Sequence, residues 1–459
     1  MKRISGFSKL SKADKIAWLA KYAFTSNPVD IAREFASFAH SNVETQRVFD
    51  GISENTLTNF YLPYGVAPNF LINDKVYCVP MVIEESSVVA AAAAAAKFWS
   101  DKGGFKAEVV SSTKVGQIYF RWEGTEPEKL ERFFETMKTT IRDGIAPITE
   151  NMEKRGGGVT GMELVDNCDI EPGLWQVKMY FETCNAMGAN FINSVLEASA
   201  KIIAAEAVDH NDFHGREREV EIIMSILSNY TPECLVRAWV EAPIESLGPF
   251  KGGMSGQDFA RKFVTAINIA RGDSYRAATH NKGIFNGIDA VVLATGNDFR
   301  AIEACGHAYA SRDGIYRSLS QAEIVDDKLR FSIEIPLAMG TVGGLTTLHP
   351  LSKRSMELLG HPSAEELMMI TASVGLAQNF AAVRSLITTG IQYGHMRMHL
   401  TNILAHFGAS ETEVERAIAY FADKTVSFNS VREFLSDLRH ELGTKIKSSS
   451  EQSSAPTTR

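Results

Sequence analysis

The sequence lacks the cysteine patterns that organise small or metal-bound folds. Its five cysteines are scattered over 459 residues, and no two of them form a CxxC pair. Neither a disulfide framework nor a zinc ribbon is predicted, and a reducing, cytoplasmic compartment is favoured. The five residues are Cys78, Cys168, Cys184, Cys234 and Cys305.

Long hydrophobic runs are also missing. The longest uninterrupted apolar stretch covers residues 88–96, whereas a membrane span needs roughly 18 such residues. The opening segment MKRISGFSKLSKADK has no apolar core of the kind that marks a signal peptide. No membrane association is therefore predicted.

An excess of basic residues is the third feature that is missing. The formal net charge is -8 at pH 7, and a protein that binds nucleic acid through phosphates needs a basic face. Nucleic acid is therefore not an expected partner. Hydrophobic residues make up 45% of the chain and charged residues 22%, which is ordinary for a globular protein, and the length predicts two or three domains.

The pattern of predicted elements changes near residue 110. Before it, the sequence predicts helices, a hairpin that turns at Asn73 and Asp74, and a helix through an alanine run capped by Ser86 or Ser87. After it, a strand, an amphipathic helix, two strands and a long helix follow in turn. With CLVRAWVEA as the last strand, this order is the ferredoxin-like βαββαβ unit, although that strand could instead belong to the surrounding domain.

The sequence therefore predicts an α+β protein in which a small ferredoxin-like domain interrupts a large, mainly helical domain. The last segment, KIKSSSEQSSAPTTR, has a polar, Ser-rich composition and is predicted to be disordered. The predicted boundaries are 1–110 and 226–390 for the large domain, 111–225 for the small domain, 391–443 for a C-terminal helical segment and 444–459 for the tail.

Two glycine-containing loops are candidates for a phosphate site. GGGVTG, residues 156–161, has the GxGxxG spacing, but strand-like residues follow it where a dinucleotide site needs a helix. NAMGAN, residues 185–190, lies between an alternating strand and a long helix. Backbone N–H groups at such a helix start can bind a phosphate, although a plain turn is the more frequent outcome.

Several ionisable residues lie where the surrounding chain is apolar. Glu84 and Glu85 precede the alanine helix, and acidic residues are rarely buried without a partner. Removal from water favours the neutral form of a carboxyl group, while a nearby helix N-terminus favours the charged form. Lys282 lies in a mostly apolar segment, where a lysine either extends to the surface or is held by a partner.

His395 and His399 are four residues apart on a predicted helix. This spacing can bind zinc, but the glutamate of an HExxH motif is absent and no third ligand is evident. A histidine that packs in the core is the commoner case, and a single acid–base histidine is the next. No metal is predicted.

Six sequence blocks together resemble the class II (bacterial-type) 3-hydroxy-3-methylglutaryl-coenzyme A (HMG-CoA) reductases over residues 5 to about 440. The blocks are PMVIEESSVVAAA, NAMGAN, RAATHNKGIFNGIDAVVLATGND, GTVGGLTTLHPL, VGLAQN and GIQYGHM. The resemblance implies a helical substrate-binding domain, a small cofactor-binding domain and a mobile C-terminal flap. It also implies a homodimer or higher homo-oligomer with active sites at the subunit interface. The implied reaction is the reduction of HMG-CoA to mevalonate and coenzyme A with two NAD(P)H.

The resemblance also implies the site residues by their matching positions. Lys282 would stabilise the oxyanion that the first hydride forms, His395 would protonate the coenzyme A thiolate, and Glu85 would protonate the mevaldehyde oxygen. Asp298 would couple Lys282 to the glutamate. The implied substrate-pocket residues are Arg276, which can hold a carboxylate bidentately, and Ser87, Asn229, Asn286 and Gln378.

The implied cofactor loop departs from the family pattern. It opens with Asn185, where the family usually has Asp, and it continues with Ala186, Met187, Gly188, Ala189 and Asn190. NAD-preferring members carry an Asp shortly before the triple glycine, and PITENMEKRGGG has none. Lys154 and Arg155 suit the 2′-phosphate of NADPH, so NADPH is favoured over NADH.

Three other functions remain open at this point. The same site could run in the degradative direction and oxidise mevalonate with NAD. The chain could be an inactive coenzyme A-binding protein, although the matching residues Glu85, Lys282, Asp298 and His395 argue against that. A histidine-dependent metallohydrolase would contain stoichiometric zinc.

Overall fold

The computed structural model describes residues 3–250, 253–388, 400–422, 424 and 426–452, with side-chain surroundings up to residue 440. The α-helices are α1 (Lys12–Tyr22), α2 (Pro28–Ser37), α3 (Val43–Asp50), α4 (Val88–Ser100), α5 (Pro127–Glu153), α6 (Ala189–Asp209), α7 (Gly256–Gly272), α8 (Ser274–Ala294), α9 (Phe299–Ala310), α10 (Gly344–Leu348), α11 (Pro350–Leu358), α12 (Ala364–Ile387), α13 (described over 400–406), α14 (Glu411–Tyr420) and α15 (Phe428–Gln452). The strands are β1 (Tyr64–Ile72), β2 (Lys75–Val82), β3 (Lys106–Val109), β4 (Lys114–Arg121), β5 (Gly158–Asp166), β6 (Leu174–Glu182), β7 (Glu221–Leu227), β8 (Leu235–Pro243), β9 (Ser320–Val325) and β10 (Lys328–Pro336).

The hairpin β1–β2 has the predicted two-residue turn. Asn73 and Asp74 have φ values of 46° and 66°, and the residues on either side, Ile72 and Lys75, are paired. Two left-handed residues in a row are the geometry of a type I′ turn, which suits Asn and Asp. This hairpin delivers the chain to the acidic turn before α4.

The small domain is the predicted ferredoxin-like unit. Its strands lie in the order β5-β6-β4-β7 with every neighbouring pair antiparallel, and α5 and α6 bury their apolar faces against this sheet. The closing strand is β7, which was not predicted from the sequence and which extends two residues beyond the predicted domain boundary at 225.

The segment CLVRAWVEA contributes β8 to the large domain, the alternative that the sequence left open. It pairs with β3 and β10 in an antiparallel sheet of order β3-β8-β10-β9. Alternating apolar residues predict that a segment is a strand, but they do not identify the sheet that it joins. The small domain is thus inserted between β3 and β8.

Two long helices, α8 and α12, cross inside the core of the large domain. Gly287 of α8 lies against α12, and a Cβ atom placed on it would come within 2.9 Å of Cβ of Gln378 and 3.0 Å of the Val374 carbonyl oxygen. Any side chain at this position would separate the helices. Because Gly287 has no side chain, the two helices pack closely, and polar residues of α8 and α12 line the same cleft.

Helix α12 also accounts for the most hydrophobic segment in the fold. Within the described part of the chain, it is the one helix long and apolar enough to cross a membrane, and 83% of its most apolar window is buried inside the protein. It packs against α4 and α8. Its hydrophobicity is therefore that of a core helix.

The helices α13 to α15 form a small core of their own, centred on Leu404, Phe421 and Val431. Helix α15 continues to Gln452, so residues 444–452 are helical, in contrast to the predicted disorder from 444. Extending a helix that is already formed costs far less than starting one, which lets polar residues prolong it. Residues 389–399 lie outside the described residues.

Candidate active site

An ion pair between Glu85 and Lys282 forms the centre of the candidate site. Oε2 of Glu85 lies 2.5 Å from Nζ of Lys282 and 3.4 Å from Nδ2 of Asn286. Lys282 and Asn286 are four residues apart and therefore project from the same face of α8. The fold joins an acid and a cation that are 197 residues apart in the sequence.

A tight turn directs Glu85 towards α8. Strand β2 ends at Val82, and residues 84–87 lead into α4. Ser87 has a φ of 73°, in the left-handed region that residues with a side chain adopt at an energetic cost. Its hydroxyl makes no capping hydrogen bond to α4, in contrast to the prediction, and Ser87 lines the cleft beside Glu85.

The ion pair lies in an open cleft of about 480 Å³ between α4, α8 and α12. Gln378 is only 6% exposed there, and its Oε1 has no hydrogen-bond partner among the described residues. A buried amide oxygen that makes no hydrogen bond destabilises the folded protein. Oε1 of Gln378 is therefore suited to accept a hydrogen bond from a ligand hydroxyl. The cleft contains four of the five predicted substrate residues, namely Arg276, Ser87, Asn286 and Gln378.

The cleft carries more positive than negative charge. Arg276, Lys282 and Arg384 line it, and Glu85 is the one acidic residue among its described lining residues. Burial lowers the pKa of both arginines, and neither guanidinium has an ion-pair partner within the described chain. An anionic ligand fits such a site.

Arg384 was not among the residues predicted from the sequence. Its guanidinium carbon lies 5.6 Å from the ring centroid of Phe98 and 5.4 Å from that of Phe380. Two aromatic rings can hold a guanidinium by cation–π contact while its N–H donors remain available. A single arginine near the end of an apolar helix gave no signal in the sequence.

His280 forms part of the floor of the cleft. It is 2% exposed, and its Nε2 lies 2.8 Å from Oγ of Ser320, which donates to Oδ1 of Asn379 at 2.8 Å. Burial, helped by the charge of Arg276, lowers the pKa of His280 to about 3. The imidazole is therefore neutral at physiological pH and fixes neighbouring side chains without acting as an acid.

Asp298 is not part of this cleft within one chain. It caps α9 by accepting from the backbone N–H groups of Arg300 and Ala301, and it binds the Arg300 guanidinium at 2.7 Å. Burial raises the pKa of Asp298, but these bonds outweigh burial and hold it below its usual range. The structure thus brings Glu85 and Lys282 together without Asp298.

The predicted cofactor loop lies at the junction of the two domains. Asn185 accepts from the Thr341 backbone N–H, its side-chain oxygen accepts from the Ala364 N–H at 2.9 Å, and Ala186 bridges to Val342. The family's usual Asp would offer the same acceptor atom for the start of α12, so Asn preserves this contact.

The loop leads directly into α6. Gly188 has a φ of 92° and lies at the helix start, and no side chain caps the first N–H groups of α6. Uncapped N–H groups and the positive end of the helix dipole suit an anion. Ala189 and Asn190 form the first turn of α6.

The triple-glycine loop lies beside the cofactor loop. A Cβ atom on Gly157 would come within 2.5 Å of the Glu182 carbonyl oxygen and 3.1 Å of Sγ of Cys184. The loop therefore needs glycine for its close approach. The carbonyl oxygen of the exposed Arg155 accepts from Sγ of Cys184, directly before the cofactor loop, at 3.2 Å, and Lys154 pairs with Glu150 at 2.6 Å.

Asn229 is the one predicted substrate residue that does not line the cleft. Asn229 is grouped with Met187 and Ala189 around a small cavity on the cofactor-loop side, away from Glu85. His395 and His399 lie outside the described residues. Among the residues that are described, no three His, Cys, Asp or Glu side chains are grouped as metal ligands.

Comparisons with known proteins agree on one family. The family-wide sequence profile described as hydroxymethylglutaryl-coenzyme A reductase matches residues 16–400. A curated 3-hydroxy-3-methylglutaryl-coenzyme A reductase from Archaeoglobus fulgidus is 36% identical over 440 residues, covering 95% of each chain. A probable reductase of the same name from Borreliella burgdorferi is 34% identical, covering 90% of this chain and 92% of its own.

Solved structures match over nearly the whole fold. A class II 3-hydroxy-3-methylglutaryl-CoA reductase from Streptococcus pneumoniae, bound to NADPH in open conformations, is 36% identical with a TM-score of 0.68, covering 90% of this chain and 98% of its own. A second structure of the reductase from that organism is 37% identical with a TM-score of 0.69, covering 95% of this chain and 100% of its own.

Proposed function

The chain belongs to the hydroxymethylglutaryl-coenzyme A reductase family, and from this premise we propose how its residues carry out the reaction. It is an oxidoreductase of the class II type that reduces HMG-CoA to mevalonate and coenzyme A, a step of the mevalonate pathway. The observation that carries the proposal is the Glu85–Lys282 pair in a cationic cleft.

The first reduction places negative charge on the thioester oxygen. Lys282 stabilises this oxyanion, because a cation that is already positioned needs no reorganisation when the charge develops. Arg276 holds the free carboxylate of the substrate in a bidentate contact. Gln378 and Asn286 orient the polar groups of the acyl chain, which is supported by the unpaired Oε1 of Gln378.

The second half of the reaction needs two protons. Collapse of the hemithioacetal breaks the carbon–sulfur bond, and His395 protonates the coenzyme A thiolate that leaves. Glu85, which is ionised while it is paired with Lys282, takes up a proton from solvent and gives it to the mevaldehyde oxygen as that carbonyl is reduced. The bound nicotinamide cofactor supplies one hydride in each reduction, so two hydrides and two protons are consumed in total.

Asp298 does not line the cleft of its own chain, and we propose a homodimer with active sites between its subunits. Lys282 lies twelve residues before the end of α8 at Ala294, a distance of about 18 Å along a helix axis. Asp298 follows that end. Coupling of Asp298 to Lys282 therefore requires Asp298 of a second copy.

An apolar groove near the same end of α8 supports this assembly. It has a volume of about 810 Å³ and is lined by Leu293, Leu345, Leu351 and the segment 58–62. Within that segment Phe60 is 91% exposed. Contiguous exposed apolar surface of this kind marks a protein interface, and a second copy is the occupant that also completes the site.

NADPH is the proposed cofactor. The Streptococcus pneumoniae relative is described as bound to NADPH, and here Arg155 lies exposed beside the cofactor loop without an ion-pair partner among the described residues. An arginine of this kind suits the 2′-phosphate that distinguishes NADPH from NADH. No metal takes part in the proposed reaction.

Replacing Lys154 and Arg155 by Ala should raise the KM for NADPH by about tenfold and leave the KM for NADH nearly unchanged, as expected for loss of a charged hydrogen bond to phosphate. Steady-state kinetics with both cofactors measure this difference. The matched control is Lys138→Ala, since Lys138 pairs with Glu135 on the same helix, far from the loop. A strong preference of the unaltered enzyme for NADH would contradict the phosphate site.

The biosynthetic direction and a cytoplasmic location complete the proposal. The degradative direction, in which NAD oxidises mevalonate, uses the same groups and is the second candidate. All five cysteines are free thiols, which suits a reducing compartment. The flap, predicted to begin after residue 390, would open to exchange the spent cofactor.

Purified protein tests the proposed function directly. Reduced nicotinamide should be consumed when HMG-CoA is added, at two molecules per HMG-CoA, with mevalonate as the product. The reverse assay contains mevalonate, coenzyme A and NAD. Binding of coenzyme A without turnover in either assay would mean that the chain is not a functional reductase.

A further inference from the structure

Lys114 is a buried lysine for which the reaction above has no use. It begins β4 of the small domain and is only 4% exposed. Lysine is almost never buried to this degree unless its charge is compensated. What surrounds its ammonium group therefore indicates its role.

The ammonium group holds the cofactor loop from beneath. Nζ donates to the carbonyl oxygen of Ala186 at 3.1 Å and to Oγ1 of Thr183. The Thr183 hydroxyl donates to the same Ala186 oxygen at 2.7 Å. Two donors thus converge on one carbonyl of the NAMGAN loop.

These bonds fix one peptide plane of the loop. In a trans peptide the C=O and the next N–H point in opposite directions, so holding the Ala186 oxygen also aims the N–H of Met187. On that other side the nitrogen of Met187 lies against Gly340, where a Cβ atom would come within 2.4 Å of it. The plane is therefore held between Lys114 and a close backbone contact.

The charge of Lys114 is not neutralised by a carboxylate. Among the described residues it has no ion-pair partner within 4.0 Å. Glu182, Cys184 and Cys234 act on it electrostatically, and Glu365 and Cys305 line the two small cavities that Lys114 borders. The Glu182 carboxylate is occupied with Oγ of Ser112 and the N–H of Cys184. The positive charge therefore remains available beneath the loop.

We infer that Lys114 is the positioning residue of the cofactor loop, holding the Ala186–Met187 peptide and adding positive charge beneath the site for the dinucleotide phosphates. This inference rests on the proposed cofactor role of residues 185–190. Lys114 does not contact the reacting atoms, so it governs cofactor affinity and leaves the chemical steps unaffected. No feature of the sequence around "TKVGQIYF" indicates this role.

Direct NADPH binding, followed by nicotinamide fluorescence, tests the inference without turnover. Lys114→Met keeps the length of the side chain and removes its charge and donors. We expect the Kd for NADPH to rise about tenfold, as for loss of a charged hydrogen bond, with kcat changed less than twofold. Lys129→Met is the control, because Lys129 is a partly buried lysine of the same domain that pairs with Glu126 and Glu217.

Thr183→Val removes the second donor to the Ala186 oxygen and should raise the Kd in the same direction. If Lys114→Met does not fold, Thr183→Val tests the inference in its place. Hydrogen exchange of residues 185–190 should become faster in both variants while the rest of β4 and β6 stays protected.

A pH series separates charge from packing. Burial lowers the pKa of Lys114, and the electrostatic effects of Cys234, Glu182 and Cys184 raise it by a smaller amount. Binding should therefore weaken as the pH rises through that lowered pKa in the unaltered protein. The same series with Lys114→Arg should be flat, since a guanidinium keeps its proton.

Asn190→Glu distinguishes failure of this inference from failure of the cofactor site itself. It places a carboxylate on an exposed position in the first turn of α6 and should repel the phosphates. If it weakens NADPH binding while Lys114→Met does not, the inference is overturned and the cofactor site stands. If neither change affects binding, the loop is not the cofactor site, and both the proposed cofactor site and the inference about Lys114 are refuted.

Discussion

Glu85→Gln should abolish the reduction of mevaldehyde, lowering kcat by roughly 10² or more, as expected for loss of a general acid. Gln keeps the size of the side chain and can still bond to Lys282 and Asn286, but it has no proton to give. The measurement is mevaldehyde-dependent consumption of NADPH. Thermal unfolding and the oligomeric state should be unchanged, because the pair lies at an open cleft.

Glu84→Gln is the matched control for this experiment. Glu84 is exposed and points away from the cleft lining. Burial, Glu303 and Glu84 together raise the pKa of Asp289 to about 8, so removing the Glu84 charge relieves repulsion. Near-normal turnover by a folded Glu85→Gln protein, or loss at Glu84 instead, would refute the assignment.

A mixed dimer of two inactive variants should recover about half of the activity of the unaltered enzyme. The first chain carries Lys282→Ala and the second carries Asp298→Ala, and each variant alone should lose several orders of magnitude in kcat, as for loss of electrostatic stabilisation. If each site takes Lys282 from one chain and Asp298 from the other, one of the two sites in the mixed dimer is intact. Differently tagged chains, purified as the heterodimer, allow the measurement.

The arrangement of the residues makes the outcome decisive. If Lys282 and Asp298 of one chain served the same site, each site of the mixed dimer would lack one of them and no activity would return. Mixing Lys282→Ala with Glu85→Gln is the control. These two residues are in contact within one chain, so that mixture should remain inactive.

The sequence predicted the parts of this protein whose signals are local. Asn73 and Asp74 predicted the hairpin turn because few residues adopt two left-handed conformations in a row. The alternation of apolar and polar residues in β6 predicted a strand with one buried face. The resemblance to a family brought together Glu85, Lys282, Arg276 and Gln378, and the fold places all four in one cleft.

The rest depended on contacts between distant segments. Nothing near Lys114 indicates that it lies beneath a loop about 70 residues away, and nothing near Arg384 indicates that its guanidinium contacts the rings of Phe98 and Phe380. The sequence also did not show which sheet the segment CLVRAWVEA joins. Alternation is a property of a single strand, whereas pairing depends on two strands that are distant in the sequence. Asp298 shows the limit of motif matching, because it matches a sequence block but caps α9 outside the cleft of its own chain.

The length of α8 links ligand binding to assembly. Residues 276–286 of α8 line the substrate cleft, whereas the end of α8 leads to Asn297, which accepts from the N–H of Gly340 beside the cofactor loop. In the proposed dimer, a ligand that contacts both chains would therefore bind the dimer and not the monomer. By mass action, such a ligand at a hundred times its Kd would add about 2.7 kcal/mol to the stability of the dimer. Specific activity should then depend on protein concentration in dilute solution, and saturating cofactor and substrate should remove that dependence.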